Sequence, residues 1–181
     1  MKELVMEIDA PSASDIVGSE EAIDYDDETD DVRSLLRDIC AILAEDGRIR
    51  FVVQFAGESW PVDVRTDLLT VLEQLSKIWR RREEPFEIDF YEQGLERTLL
   101  FKPTNNEIEV YCESRNAKWR APENSLRLPR EAVRWTVLHL VNRFSELATA
   151  LRPRIAQHPW FSSWRREALA AGAPERNGAG P

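Results

Sequence analysis

The chain has 181 residues, 33 acidic against 24 basic, a formal net charge of −9 and only two cysteines. This length suits one domain able to bury roughly 70% of its unfolded surface, and 43% hydrophobic with 31% charged residues fits a globular protein, not a disordered or fibrous one. No apolar run approaches the roughly 20 residues of a membrane span, the opening MKELVMEIDA lacks the apolar core of a signal peptide, and an acidic chain is ill suited to nucleic acid or anionic membranes.

Residues 1–31 hold twelve acids against Lys2 alone, a balance of −11, which leaves +2 on the other 150 residues. Within this acidic leader Leu4, Met6 and Ile8 recur at every second position, predicting an edge strand over residues 3–9. Residues 10–29 show no period and read as mobile, self-repelling chain. The main α+β domain is expected over 32–171, and the small, polar, Gly- and Pro-punctuated residues 172–181 read as a disordered tail.

From Asp30 the pattern turns helical. Val32, Leu35, Leu36, Ile39 and Leu43 share one face, Asp30 and Asp31 suit the positive N-terminal end, and Gly47 reads as the stop. Ile49, Phe51, Val53 and Phe55, then Gly57-Glu58-Ser59, then Val62 and Val64, predict a hairpin. Pro61 cannot donate to a ladder, so the second arm is expected to be short or at an edge. A second helix is predicted over 66–82, with the stripe Leu68, Val71, Leu72, Leu75, Ile78 and Trp79 and a basic last turn, Arg80 to Arg82.

Residues 86–114 predict a three-stranded meander. Phe86, Ile88 and Phe90 alternate with Glu87, Asp89 and Tyr91; Gln93-Gly94 turns; Leu95, Leu99 and Phe101 return. After the Pro103–Asn106 turn, Ile108, Val110 and Cys112 alternate with Glu107, Glu109 and Tyr111. A polar loop from Asn116 to Ser125 leads to a long helix opened by Pro129, striped by Val133, Val137, Leu140, Phe144, Leu147 and Leu151. A last short helix carries Trp160, Phe161, Trp164 and Leu169. The expected class is α+β: a largely antiparallel sheet, built from the N-terminal hairpin and the meander, with helices packed on one face.

Chemistry is sparse. With four glycines in the body, never two in one short loop, neither a dinucleotide fingerprint nor a P-loop is present. Cys40 and Cys112 read as small buried hydrophobes in a reducing compartment. His139 and His158 read as structural or surface residues, too few for a zinc site, and no nucleophile lies in a G-x-S-x-G elbow. No cofactor, metal or catalytic group is expected. Of six tryptophans, Trp79 and Trp135 fall on or near helix stripes and are expected in the core. Trp160 and Trp164 are expected to pin the last helix, while Trp60 and Trp119, in turns or loops, are the candidates for exposure.

The paired carboxylates Glu87/Asp89 and Glu107/Glu109 admit three readings: the wet face of a sheet, an acid–base cluster, or a protein-binding surface. On the last reading Glu87, Asp89, Tyr91, Glu107, Glu109, Tyr111 and Glu113 set tyrosine anchors among carboxylates that steer a basic partner. Tyr25, Asp26 and Asp27 of the leader add a second contact.

The stretch Phe86-Glu87-Ile88-Asp89-Phe90-Tyr91-Glu92-Gln93-Gly94, with Glu96-Arg97 and Leu99, followed by His158-Pro159-Trp160-Phe161 and Trp164, resembles the immunity partners of bacterial polymorphic toxins over about residues 32–170. The resemblance implies a cytoplasmic inhibitor that occludes the basic active-site surface of a cognate toxin. It transfers no binding residue by motif. Two alternatives stand beside it: a structural or adaptor subunit of a bacterial assembly, and a small enzyme using the sheet-face carboxylates.

Overall fold

Two antiparallel sheets, each with one apolar face, lean on a shared set of helices in the computed structural model, which describes residues 3–18, 23–78, 84–90, 96–115, 119, 121 and 123–170. The first sheet has the order β1-β2-β3 (Leu4–Asp9, Arg50–Phe55, Glu58–Ser59), the second β4-β5-β6-β7 (Phe86–Phe90, Arg97–Pro103, Glu107–Ser114, Ser125–Pro129). The class is α+β. The edge strand predicted over 3–9 forms, pairing Met6 with Val53 beside the central strand β2.

The alternating residues set which face is buried. Leu4, Met6, Ile8, Phe51, Val53 and Phe55 are in the core, as are Phe86, Ile88, Phe90, Leu99, Phe101, Ile108, Val110 and Cys112. Helix α1 (Val32–Glu45) begins where Asp31 Oδ1 accepts from the N–H groups of Arg33 (2.8 Å) and Ser34 (3.2 Å). Its stop is Asp46, not Gly47: the Asp46 side chain accepts from Arg48 N and its carbonyl from Ile49 N. A π-helical turn, Val64–Leu68, feeds α2 (Leu69–Ile78). Asp63 accepts from Thr66 N, and Asp67 reaches back to accept from Asp63 N, a reciprocal cap that the apolar stripe does not reveal.

Helix α3 (Arg130–Leu151) buries every residue of its predicted stripe and touches β1, β6 and β7, so it underlies both sheets. A short α4 (Pro153–Ala156) and then α5 (Pro159–Ala170) complete the layer, with Trp164 Nε1 donating to the carbonyl of Leu72 in α2 at 3.1 Å.

The hairpin, the segment before α3 and the leader also differ from what the sequence predicts. The hairpin turns at Ala56-Gly57, both at positive φ (55° and 86°), as two-residue hairpins favour; its second arm is two residues long, and Val64 belongs to the π turn instead. The ladder therefore stops before reaching the meander, giving two sheets in place of one. A fourth strand, β7, occupies what reads as the end of a loop. The leader's described stretches also pack: Ile16 is buried, and Arg143 of α3 donates to the carbonyl of Ala10 at 2.8 Å. Trp79, the Arg80–Arg82 run, Tyr91, the Gln93-Gly94 turn, Leu95 and residues 172–181 lie outside the described residues.

The seam between the sheets is a buried guanidinium. Arg97, 7% exposed, lies between the rings of Trp119 (3.5 Å to the centroid) and Trp60 (4.9 Å). Glu58 sits 3.6 Å from its Nη1 and accepts from Trp119 Nε1 at 2.9 Å. Burial holds the Arg97 pKa below its ordinary value. Trp60 and Trp119, the two tryptophans that their turn and loop contexts made the candidates for exposure, are thus the seam itself: Trp60 is 5% exposed. Trp135, expected in the core, is 65% exposed and stacks on His139. It lies two residues from Val133, about 200° around the helix, on the opposite face.

Candidate functional site

The solvent face of the second sheet carries the predicted carboxylates, and each strand contributes at alternate positions as the period demands. Glu87, Glu107 and Glu113 are exposed; Asp89, Glu109 and Tyr111 are half-buried. Tyr91 lies outside the described residues. The face is not uniformly acidic, because antiparallel register brings cations across from the acids. Arg115 Nη2 donates to both oxygens of Asp89 (2.7 and 2.8 Å), and Thr98 Oγ1 donates to it at 2.6 Å. Glu109 stands beside Lys102 on β5 and Arg127 on β7, with Arg127 Nε at 3.5 Å. Lys102 Nζ lies 4.4 Å over the Tyr111 ring, and a hydrogen bond to Glu109 raises the Tyr111 pKa. Asp89 and Glu109 are thus held in ion pairs, the Lys102–Glu109–Arg127 set across three strands, each pair worth a fraction of a kcal/mol.

The leader makes a different site. Tyr25 packs edge-on against His158 (5.4 Å between centroids) and tilted against Trp160 (5.9 Å), and its hydroxyl donates to Asp38 at 3.3 Å. Burial, with Asp38 beside it, pushes its pKa well above the ordinary 10.0. Tyr25 is therefore an anchor that fastens the leader to α1 and α5. Asp26 closes the following turn: its carbonyl accepts from Thr29 N and Asp30 N, and its Oδ1 from Glu28 N at 2.8 Å. The Asp26 N–H donates to Asp30, which together with Ser34 holds the Asp30 carboxyl below its ordinary value.

This turn and α5 enclose a cleft of about 450 Å³. Asp27, Asp30, Asp31 and Val32 form one wall; Trp160, Ser163, Trp164 and Glu167 form the other. The α5 residues lie at i, i+3, i+4 and i+7, one face of the helix. Four carboxylates and the half-buried Trp160 line the cleft, and no cation does among the described residues. An arginine or lysine side chain fits such a lining, by charge and by stacking on indole. Of the predicted leader contacts, Asp27 lies in the cleft wall, whereas Tyr25 and Asp26 do not line it.

Among the described residues no group of three or more His, Cys, Asp or Glu side chains is placed to hold a metal ion. Both thiols are buried, which pushes Cys112 up to about 11 and Cys40 further still. No described helix is long and apolar enough to cross a membrane. No family model, curated protein or solved structure matches the chain.

Proposed function

We propose that the protein is a non-catalytic inhibitor, acting in the cytoplasm as an immunity protein does on a toxin, that captures a basic surface of its partner. The observation that supports this most is the acidic cleft between the leader turn and α5, whose described lining holds four carboxylates, with Trp160 in its wall. Carboxylates there would steer the encounter and pair with the partner's substrate-reading cations, while the indole gives a desolvated anchor. On the sheet face Asp89 and Glu109 are already paired with Arg115 and Arg127, so Asp27 and Glu167 are the better candidates for the contact.

The test is coexpression with the product of the neighbouring gene, scored by rescue of growth and by copurification. Asp27→Lys with Glu167→Lys should abolish both while leaving the fold intact, whereas Glu87→Lys with Glu113→Lys should leave both in place. The reverse pattern would move the contact to the sheet face, and absence of rescue by the unaltered chain would remove the inhibitor reading.

A further inference from the structure

The two sheets leave open hydrogen-bonding edges on either side of one groove. Its volume is about 570 Å³, and its walls are Glu3 with residues 4–7 of β1, residues 127–129 of β7, and Ala132, Trp135, Thr136 and His139 of α3. The ladder pattern tells which backbone groups face it. Glu3 O accepts from Ala56 N, so residues 3, 5, 7 and 9 bond β2 and the N–H and C=O groups of Leu4, Met6 and Ile8 point away from it. On β7, the bonds Cys112 N to Asn124 O and Arg130 N to Asn106 O place Leu126 and Leu128 in bonded pairs with β6. Arg127 therefore turns its backbone outward, and Pro129 has no N–H to offer.

The far edge of the second sheet is treated differently. Gln74 of α2 accepts from Asp89 N at 2.9 Å and donates to Asp89 O at 3.1 Å, which caps the outward groups of β4. No described residue does this for β1. An uncovered edge is a template for another strand, and here it is flanked by Trp135, which is 65% exposed.

We infer that the groove receives an extended, basic segment of a partner protein, added as a strand alongside β1. The alternation of the added strand follows from the pleat. Side chains on the Leu4, Met6 and Ile8 side would meet Trp135, Thr136 and His139 and should be apolar; those on the other side would stand beside Glu3 and Glu7 and should be lysine or arginine. Charge selects against a second copy of this chain. An antiparallel self-pair centred on Met6 sets Glu3 opposite the second copy's Asp9, between two molecules each of net charge −9. The strand site stands apart from the acidic cleft and does not rest on the inhibitor reading.

The experiment uses the whole chain and three peptides the length of β1: valine alternating with lysine, valine alternating with glutamate, and the lysine peptide N-methylated on its pairing edge. Amide exchange is followed residue by residue. The lysine peptide should slow the outward amides of Leu4, Met6 and Ile8 by about tenfold or more, and the other two should not. Glu3→Lys with Glu7→Lys should transfer that protection to the glutamate peptide, while Asp27→Lys should change nothing. Unchanged exchange at millimolar lysine peptide, protection that survives N-methylation, or protection of the same amides in the free protein through dimerisation would each overturn the inference.

Discussion

At the residue scale the most exposed structural duty falls to Asp31. Its carboxylate holds two N–H groups at the start of α1. Asp31→Ala should destabilise the protein by about 1 kcal/mol, read as a lower denaturant midpoint at unchanged slope. The same residue lines the acidic cleft, so its loss would weaken partner binding as well; Asp31→Asn separates the roles, since it keeps the cap and removes the charge. Arg97 shows the other extreme. A guanidinium buried between two indoles and beside Glu58 joins two sheets that share no ladder, and nothing in the alternation of β5 marks it: Arg97 simply opens the strand at an inward position.

At the element scale, strands with strong alternation were legible and weak ones were not. Strand β4 announces itself by Phe86, Ile88 and Phe90, whereas β7 has only Leu126 and Leu128 between Ser125, Arg127 and Pro129. The proline suggests a helix start, and both signals are true: Pro129 ends the strand on its open edge, where a missing N–H costs little, and precedes the first turn of α3. The packed leader was illegible because irregular chain is held by isolated contacts without a period. Gly18 is one of these. A methyl group there would run into the carbonyl oxygen of Ala150 and lie 3.1 Å from that of Leu151, both backbone atoms at the end of α3. Gly18→Ala should therefore cost about 1–3 kcal/mol, and limited proteolysis should find the leader cut faster while 32–170 persists. Tyr25 provides the second fastening. Its folded-state pKa is raised, so its contribution is fully present below the ordinary value of 10.0 and declines as the solution becomes more alkaline than that. The leader should loosen above pH 10, and in Tyr25→Phe that alkaline transition should vanish, with Trp160 fluorescence as the probe.

The acidic cleft became visible only at the scale of the whole molecule. Its halves are legible separately, as an acidic run before α1 and as a polar-and-indole face on α5. Their meeting depends on α1 packing against α5, which no local pattern encodes. The charge division has a consequence at this scale that distinguishes folding from binding. The leader carries −11 and is attached to a body of +2, so repulsion among its own carboxylates opposes its docking. Screening shortens the range of such repulsion to about 10 Å at 0.1 M salt. Raising salt from a few millimolar to that level should therefore raise the melting temperature of the free protein and slow proteolysis of the leader. Capture of a basic partner depends on attraction by the same carboxylates, so its association rate should fall over the same range. The two slopes have opposite signs because one set of charges repels itself in the free protein and attracts in the complex. Asp27→Asn with Glu167→Gln should flatten the binding slope strongly and the stability slope only slightly, since the other eleven of the twelve leader acids keep their mutual repulsion. Parallel slopes in the two measurements would mean that the leader's charge acts on folding alone and that the partner contact lies elsewhere.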